Sequence, residues 1–370
     1  MKIALLHFFF DEYSIQLANG LAQYVDLTLI QPEKLSAICK DVIDDRIKVF
    51  RLKTPRIRDP RNLLTMGAMM RIIREVKPDV LHVQETNNPW YDLTLLLNEM
   101  PPLVTTIHDV FRHPGDRDLI PGSEYTRRIA FYRSQQLIVH SNLLKDVLIQ
   151  QFRVPEQRVN VLPHGELGTL FQDWAGGSYQ VVAREPYTLL FFGRIWPYKG
   201  LKYLLQAMPL VTERIPEVKL IIAGRGENIG KLLNDSDKKH YEILNEFIPV
   251  EAVAGLFQRS AVTVLPYIES SQSGVAAIAY ATGTPVIASN VGGLGEMIRH
   301  EQDGLLVPPR DVPALADAII RLLSDPQKQR QMQAAAVNRC QQDLNWSNIA
   351  DQTVEVYKRA ITAKITSRIS

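Results

Sequence analysis

Two α/β domains, each built on a parallel β-sheet covered by helices, are what this 370-residue sequence predicts. Three observations lead there. Short runs of β-branched and aliphatic residues alternate with helix-period stretches along most of the chain, the pattern of strands joined by crossover helices. The alternation breaks at Gly165–Pro186 (GELGTLFQDWAGGSYQVVAREP), which carries glycines and polar residues and no clear period. It then restarts. The expected division is a first domain over 1–170, a second over 171–345, and a final helical segment over 346–370.

In the first half the candidate strands are Lys2–Phe8, Leu27–Ile30, Ile47–Leu52, Val80–Val83, Leu103–Ile107, Leu137–Val139 and Arg158–Leu162. The helical stretches between them are Glu12–Tyr24, Asn62–Lys77, Tyr91–Asn98, Glu124–Ser134 and Asn142–Gln151. The second half offers strands at Tyr187–Phe192, Val218–Ala223, Tyr241–Phe247 and Ala261–Leu265, and helices at Leu201–Arg214 and Val250–Gln258. Amphipathic helices are expected at Val312–Leu323, Pro326–Gln342 and Trp346–Ile361. In sheets of this kind ligands bind at the carboxyl ends of the strands.

Composition narrows the function. The chain is 46% hydrophobic and 22% charged, the balance of a soluble globular protein. A net charge of +2 gives no reason to expect nucleic acid. The two cysteines, Cys39 and Cys340, lie far apart and show no metal spacing, which suggests a reducing compartment. The opening MKIALLHFFF is interrupted by His7 and followed by Asp11 and Glu12, so it reads as a first buried strand and not as a signal peptide. No apolar run approaches the ~20 residues of a membrane span. A cytoplasmic protein is expected, free or on a membrane surface.

The stretch Leu265–Leu306 reads as strand, polar loop, buried helix, strand, glycine turn and short helix. Ser270, Ser271, Gln272, Ser273 and Gly274 precede the apolar run Val275–Ala281, so serines stand at a helix N-cap. Free N–H groups and the positive end of the helix dipole suit that position to a phosphate. Gly283 stops the helix, and the Gly292–Gly293 pair allows close backbone approach to a ligand.

Cations gather at another strand end. LLFFGRIWPYKG puts Gly193 and Arg194 after a strand and Lys199 five residues on. A planar guanidinium and a point-charge ammonium both suit phosphate oxygens, though two cations in a solvated loop are also common. IIAGRGE ends a further strand at Gly224, but the full GxGxxG fingerprint is absent there, and HFFFDEYS after the first strand carries no glycine. A nicotinamide-dependent oxidoreductase loses support. VTTIHDVFRHPGD places His108 and Asp109 at a strand end with His113 beyond, and VLPHGEL does the same for His164. Such a histidine is either a hydrogen-bonding partner for a substrate or a structural residue.

Taken together, FFGRIWPYKG, LIIAGRGE, FIPVEAVAGLF, LPYIESSQSG, AYATGTPVIASNVGGLGEMI and DGLLVPPRD resemble, in order and spacing, the retaining GT-B glycosyltransferases of family four (glycosyl transferases group 1). The resemblance covers nearly all of the second half. TTIHD, LIVHSNLLKD and VNVLPHG extend it more loosely into the first. It implies two Rossmann-like domains facing across a cleft (GT-B), a sugar nucleotide on the second, an acceptor on the first, and a last helix crossing back. By the same resemblance Arg194 and Lys199 neutralise the donor diphosphate, N–H groups at Ser273, Gly274 and Val275 bind its oxygens, Gly193 and Gly224 lie at the nucleotide, Ile248 lines the base pocket, and His108 lies near the transferred sugar. The co-substrate implied is a UDP or GDP sugar, with no metal and no other cofactor.

Two departures stand out. The family's glutamate pair falls on Ser270 and Ile278, and Glu269 lies one residue early, an SQSG-type variant. Ile278 cannot accept a ribose hydrogen bond, a loss on the order of 1–3 kcal/mol if unreplaced. The glycine pair usual after the first strand is replaced by Phe8, Phe9 and Phe10, of which at least two are expected in the core. The expected activity is hexosyl transfer to a glycan or lipid-linked acceptor. The alternatives are a non-catalytic nucleotide-sugar-binding or scaffold protein and an epimerase- or phosphorylase-like enzyme of the same fold. Arg51, Lys53, Arg56, Arg58 and Arg61, with Arg127, Arg128 and Arg133 beside Phe131 and Tyr132, read either as a peripheral membrane contact at the inner face or as solvated basic segments.

Overall fold

The computed structural model describes residues 1–33, 42–86, 88–97, 100–111, 124–168, 182–229 and 235–369. Cys39, His113 and most of the expected linker (169–181) lie outside the described residues. The described chain forms two compact units, one from residues 1–111, 124–165 and 345–369, the other from 166–168, 182–229 and 235–344.

The first unit is a parallel seven-stranded sheet: β1 (Lys2–Leu6), β2 (Asp26–Pro32), β3 (Lys48–Leu52), β4 (Val80–Gln84), β5 (Leu103–Thr106), β6 (Gln136–Val139) and β7 (Val159–Val161), in the order β3-β2-β1-β4-β5-β6-β7. Its helices are α1 (Asp11–Leu21), α2 (Asn62–Val76), α3 (Pro89–Thr94), α4 (Glu124–Arg133) and α5 (Asn142–Phe152). Ile3, Ala4, Leu5 and Leu6 are all buried, because a parallel sheet with both faces covered needs unbroken apolar strands. The strand order reverses between β1 and β4, and a crevice for ligands opens at such a point, at the carboxyl ends of the strands.

The second unit repeats the plan with β8 (Glu185–Phe192), β9 (Lys219–Ala223), β10 (Tyr241–Leu244), β11 (Ser260–Leu265), β12 (Val286–Ser289) and β13 (Gly304–Val307), in the order β10-β9-β8-β11-β12-β13. Every pair is parallel. Here the reversal lies between β8 and β11. The helices are α6 (Leu201–Arg214), α7 (Val250–Arg259), α8 (Gly274–Ala281), α9 (Gly292–Met297), α10 (Val312–Leu323) and α11 (Pro326–Gln342). Helix α10 shows how sequence sets an element: Asp311 caps it through the Ala314 N–H at 3.0 Å, Pro313 sits in its first turn, and Leu315, Ala316, Ile319, Leu322 and Leu323 form its buried stripe.

Helix α12 (Trp346–Ile369) belongs to the first unit and runs past its expected end at Ile361. It packs on α1 so closely that a Cβ on Gly20 would lie 2.6 Å from the Trp346 carbonyl oxygen. Tyr357 on α12 shares a 2.7 Å hydrogen bond with Nδ1 of His82 on β4.

Other expectations need correcting. Strand β1 stops at Leu6, and β10 stops at Leu244 and not at Phe247. Gly292 and Gly293 form no turn but the first two residues of α9. Of the three phenylalanines only Phe8 is in the core; Phe9 is 40% exposed and Phe10 is half-buried. Strand β13 was not expected. It consists of one glycine and three aliphatics between turns, and Gly304 is required because a Cβ there would lie 2.5 Å from the Val286 carbonyl oxygen of β12.

Candidate active site

In the second unit the site residues collect where the strand order reverses. Strand β8 runs into Gly193 (φ 110°), whose N–H donates to the Ala223 carbonyl at 2.9 Å. Gly224 (φ 140°) ends β9, and a Cβ on it would lie 2.0 Å from the Gly193 carbonyl oxygen. The approach requires glycine at 224, and Gly193 is favoured by its positive φ. On its other side a Cβ at Gly193 would meet the Val275 side chain at 3.7 Å, so the end of β8 lies against the first turn of α8.

Helix α8 is capped by Ser273, whose hydroxyl accepts from the Ala276 N–H at 3.3 Å. Helix geometry leaves the Gly274 and Val275 N–H groups without an intrahelical acceptor. The other end of α8 is pinned: the Tyr280 hydroxyl donates to Asp303 at 2.6 Å, and Arg339 on α11 neutralises the buried Asp303 at 2.8 Å. The N-terminus of the helix is therefore held in place by contacts at its far end.

After Gly193 the chain exposes Arg194, whose guanidinium carbon lies 4.1 Å from the Trp196 ring centroid. A short turn, Pro197–Lys199, ends at Gly200 (φ 68°), pressed against the loop after β11. The Ile268 N–H donates to the Tyr198 carbonyl at 2.8 Å and locks the two loops together. Lys199 is held with its Nζ 3.8 Å from the ring centroid of Tyr267 and 5.1 Å from that of Tyr198. Burial, the largest influence, raises the pKa of the Tyr267 hydroxyl, against smaller lowering effects of Ser273 and Arg194.

Glu269 is half-buried on the same loop. Ser270 is buried; its hydroxyl donates to the Gln272 carbonyl at 2.8 Å and its carbonyl accepts from the Gly293 N–H at 3.2 Å, so it shapes the loop. Ile278 is buried on α8. Ile248 lies between β10 and α7, half-buried. Arg194, Lys199, Gly193, Gly224, Ser273, Gly274, Val275 and Glu269 thus share one corner of the second unit, with Ile248 beyond the end of β10.

In the first unit His108 follows β5 and is fully buried. Its Nε2 donates to the side-chain amide oxygen of Gln84 at 3.0 Å, which leaves Nδ1 as an acceptor, and Nδ1 has no hydrogen-bond partner among the described residues. Around it stand Tyr13 (4.8 Å between ring centroids), His140 (5.1 Å) and His164 (6.4 Å), with Phe10 on its face. His140 and His164 donate through Nδ1 to the carbonyls of Leu162 and Gly165, at 3.0 and 2.9 Å. Burial holds all three imidazoles neutral: it lowers the pKa of His108 well below 6.5, and those of His140 and His164 to about 3 and about 4. The chemistry open to His108 is that of a neutral imidazole. Among the described residues no group of three or more histidines, cysteines or carboxylates is arranged to hold a metal ion.

The basic segments divide. Arg127 is buried and doubly hydrogen-bonded to buried Glu85, with the Asp109 carbonyl as a third partner, so it forms no part of an exposed basic face. Arg133 donates to the Leu95 carbonyl at 3.1 Å, and Arg128 lies over the Phe152 ring at 5.1 Å. Arg51, Lys53 and Arg61 do rim a cavity of about 540 Å³ floored by Leu52 and Ala68, with Leu64 exposed at its edge; Arg61 is also paired with Asp59. Sequence reasoning missed Tyr267, which reads as one more aromatic after a strand, and His140, whose only signal was its place in LIVHSNLLKD.

The family described as Glycosyl transferases group 1 matches residues 186–325, and the family described as Glycosyl transferase 4-like matches residues 2–141. An uncharacterized glycosyltransferase of Methanocaldococcus jannaschii is 30% identical over 301 residues, 77% of this chain and 76% of that one. The D-inositol 3-phosphate glycosyltransferase of Pseudarthrobacter chlorophenolicus is 32% identical over 335 residues, 84% of this chain and 78% of its own. Among solved structures, sucrose-phosphate synthase from Thermosynechococcus elongatus superposes with a TM-score of 0.74 at 22% identity, covering 98% of this chain and 100% of that one. Anabaena HepE in complex with UDP gives 0.72 at 17%, covering 97% and 100%. These structures carry the fold, two Rossmann-like parallel-sheet units of the GT-B kind. On its sequence matches and its architecture, the chain belongs to the group 1, family-4-like glycosyltransferases.

Proposed function

We propose that this glycosyltransferase moves a hexose from a nucleoside diphosphate sugar to a hydroxyl of a glycan or glycolipid, with retention at the anomeric carbon. One observation carries the donor assignment: Arg194, Lys199 and the N-terminus of α8 converge at the point of the second sheet where the strand order reverses. Cleavage of a glycosyl diphosphate puts negative charge on the leaving group, and fixed cations with oriented N–H groups stabilise it as it develops. In this reading they serve where a metal would elsewhere. The leaving phosphate accepts the acceptor's proton, His108 binds a sugar hydroxyl, Glu269 contacts the donor sugar and Ile248 lies at the base. Residues 171–345 take the donor, 1–170 the acceptor, and 346–370 complete the first domain. HepE is described with UDP and with UDP-glucose bound, which supports a uridine donor over a guanosine one.

Thermal shift against UDP, GDP, ADP and their hexose conjugates tests the reading. A true donor nucleotide at ~100 times its dissociation constant stabilises the fold by roughly 2.7 kcal/mol. No shift with any of them counts against it. A second reading, a nucleotide-sugar-binding protein without transfer, is favoured by Ile278, a buried side chain with no acceptor where the family has a glutamate. Binding of the donor with neither hydrolysis nor transfer in the presence of acceptors would select it. Peripheral attachment to the inner membrane face, through the cationic rim and exposed Leu63 and Leu64, completes the proposal. Failure to sediment with anionic vesicles at low salt would remove that part.

A further inference from the structure

We infer that Tyr267 is a positioning residue: its ring face fixes the Lys199 ammonium beside the N-terminus of α8. The inference rests on the donor reading above and adds a residue to it.

Lysine is a poor choice for a fixed charge, because its stem has four rotatable bonds and holding it costs rotamer entropy. Here Nζ lies 3.8 Å from the centroid of Tyr267, well inside the range in which a ring quadrupole attracts a cation. The ring is itself immobile. Tyr267 is wholly buried, and both of its chain neighbours are fastened to the turn that carries Lys199. The Pro266 carbonyl oxygen would lie 1.8 Å from a Cβ on Gly200, and the Ile268 N–H is bonded to the Tyr198 carbonyl. Ring and ammonium therefore belong to one rigid block. The hydroxyl is buried with Ser273 and Arg194 as its polar neighbours, and removing it alone, as in Tyr267→Phe, separates its part from that of the ring.

Three variants separate the roles. Tyr267→Phe keeps the ring face, Tyr267→Leu removes it, and Lys199→Ala removes the charge. The first readout needs no ligand. After reductive methylation with ¹³C-formaldehyde, the dimethyl-Lys199 resonance, assigned by its absence in Lys199→Arg, is expected upfield of the other lysines through the ring current. The displacement persists in Tyr267→Phe and disappears in Tyr267→Leu. The second readout is UDP and GDP affinity by calorimetry. Tyr267→Leu weakens whichever nucleotide binds by about tenfold, Tyr267→Phe stays within about twofold, and Tyr267→Leu has no further effect in the Lys199→Ala background.

An unshifted wild-type resonance overturns the positioning, whatever binds. Equal losses from Tyr267→Leu with and without Lys199 overturn it too, by marking the effect as structural. A displaced resonance in a protein that binds neither nucleotide overturns the donor reading and leaves the ring–ammonium contact standing.

Discussion

The ring of Phe10 lies flat on the imidazole of His108, with centroids 3.9 Å apart and planes 19° from parallel. Phe10 holds this place from a left-handed backbone (φ 61°), which costs an L-residue roughly 1–2 kcal/mol. The imidazole is thus shielded by a residue under local strain. Phe10→Gly relieves the strain and uncovers the ring. Diethyl pyrocarbonate should modify His108 slowly in the parent and at least several-fold faster in the variant, read by peptide mass spectrometry. Equal rates would show that Phe10 is not what shields it.

Acid should unfold the first unit early. His82, His140 and His164 have folded-state pKa values near 3, 3 and 4, depressed by burial from about 6.5. Between those values the unfolded chain binds more protons than the folded one, so stability is complete above pH 6.5 and falls as pH drops towards 4. Each such histidine contributes a slope of up to about 1.4 kcal/mol per pH unit in that window. Denaturant midpoints measured from pH 7.5 to 4.5 should show this slope, and His140→Gln should lower it by one histidine's share. A pH-independent midpoint would contradict the burial of these imidazoles.

Glu85 and Arg127 are both buried and each is the other's charge partner. Removing one leaves an uncompensated buried charge, so Glu85→Ala should cost about 3–5 kcal/mol. Glu85→Leu combined with Arg127→Met should cost less than the sum of its parts. Urea unfolding of the four proteins measures the coupling, and strict additivity would mean that the pair is not held as described.

Two glycines give opposite signs. Gly200→Ala puts a methyl group 1.8 Å from the Pro266 carbonyl oxygen at φ 68°, and should destabilise by at least about 2 kcal/mol. Gly67→Ala, in an exposed turn of α2 with nothing within 4 Å of the new methyl, should stabilise by about 0.8–1 kcal/mol. Melting temperatures of the two variants decide both.

Lys199→Ala should lower turnover by roughly 10²-fold or more while leaving the melting temperature within a degree or two, because in the proposed function the half-buried Lys199 stabilises the leaving group and it is not part of the apolar core. Steady-state assays with the donor identified by thermal shift provide the measurement. Unchanged turnover would remove Lys199 from the chemistry.

What could be read from the sequence follows from how far each signal reaches. Strands such as Val262–Leu265 and Leu189–Phe191 announce themselves because both faces of a parallel sheet are apolar. Arg194, Lys199 and the Ser273 cap were visible because cations and a capping serine directly follow strand ends or precede an apolar run. Strand β13 escaped because Gly304 and the prolines after Val307 imitate a loop, and only its pairing with β12 makes it a strand. Arg127 reads in sequence as a surface cation because its partner Glu85 is forty-two positions away. Tyr267 was missed for the same kind of reason: its partner Lys199 belongs to another strand's end, and no periodicity joins them.

Helix α12 has a consequence for how the protein is made. Trp346 lies so close to Gly165 that a Cβ there would fall 2.4 Å from its indole ring, and it also meets Tyr13 edge-on at 5.1 Å. These contacts join residues synthesised before the second unit to residues synthesised after it. While the ribosome is still adding the second unit, the first stands with the α1 face that receives Trp346, Ala350 and their helix uncovered, although domains generally fold as units and N-terminal ones first. The described residues of the second unit, 166–168, 182–229 and 235–344, and the strands β8–β13 among them, all precede α12 in the chain. Order of synthesis and order of completion are therefore reversed, and a nascent chain stalled before residue 345 exposes an apolar surface to chaperones on its earlier half.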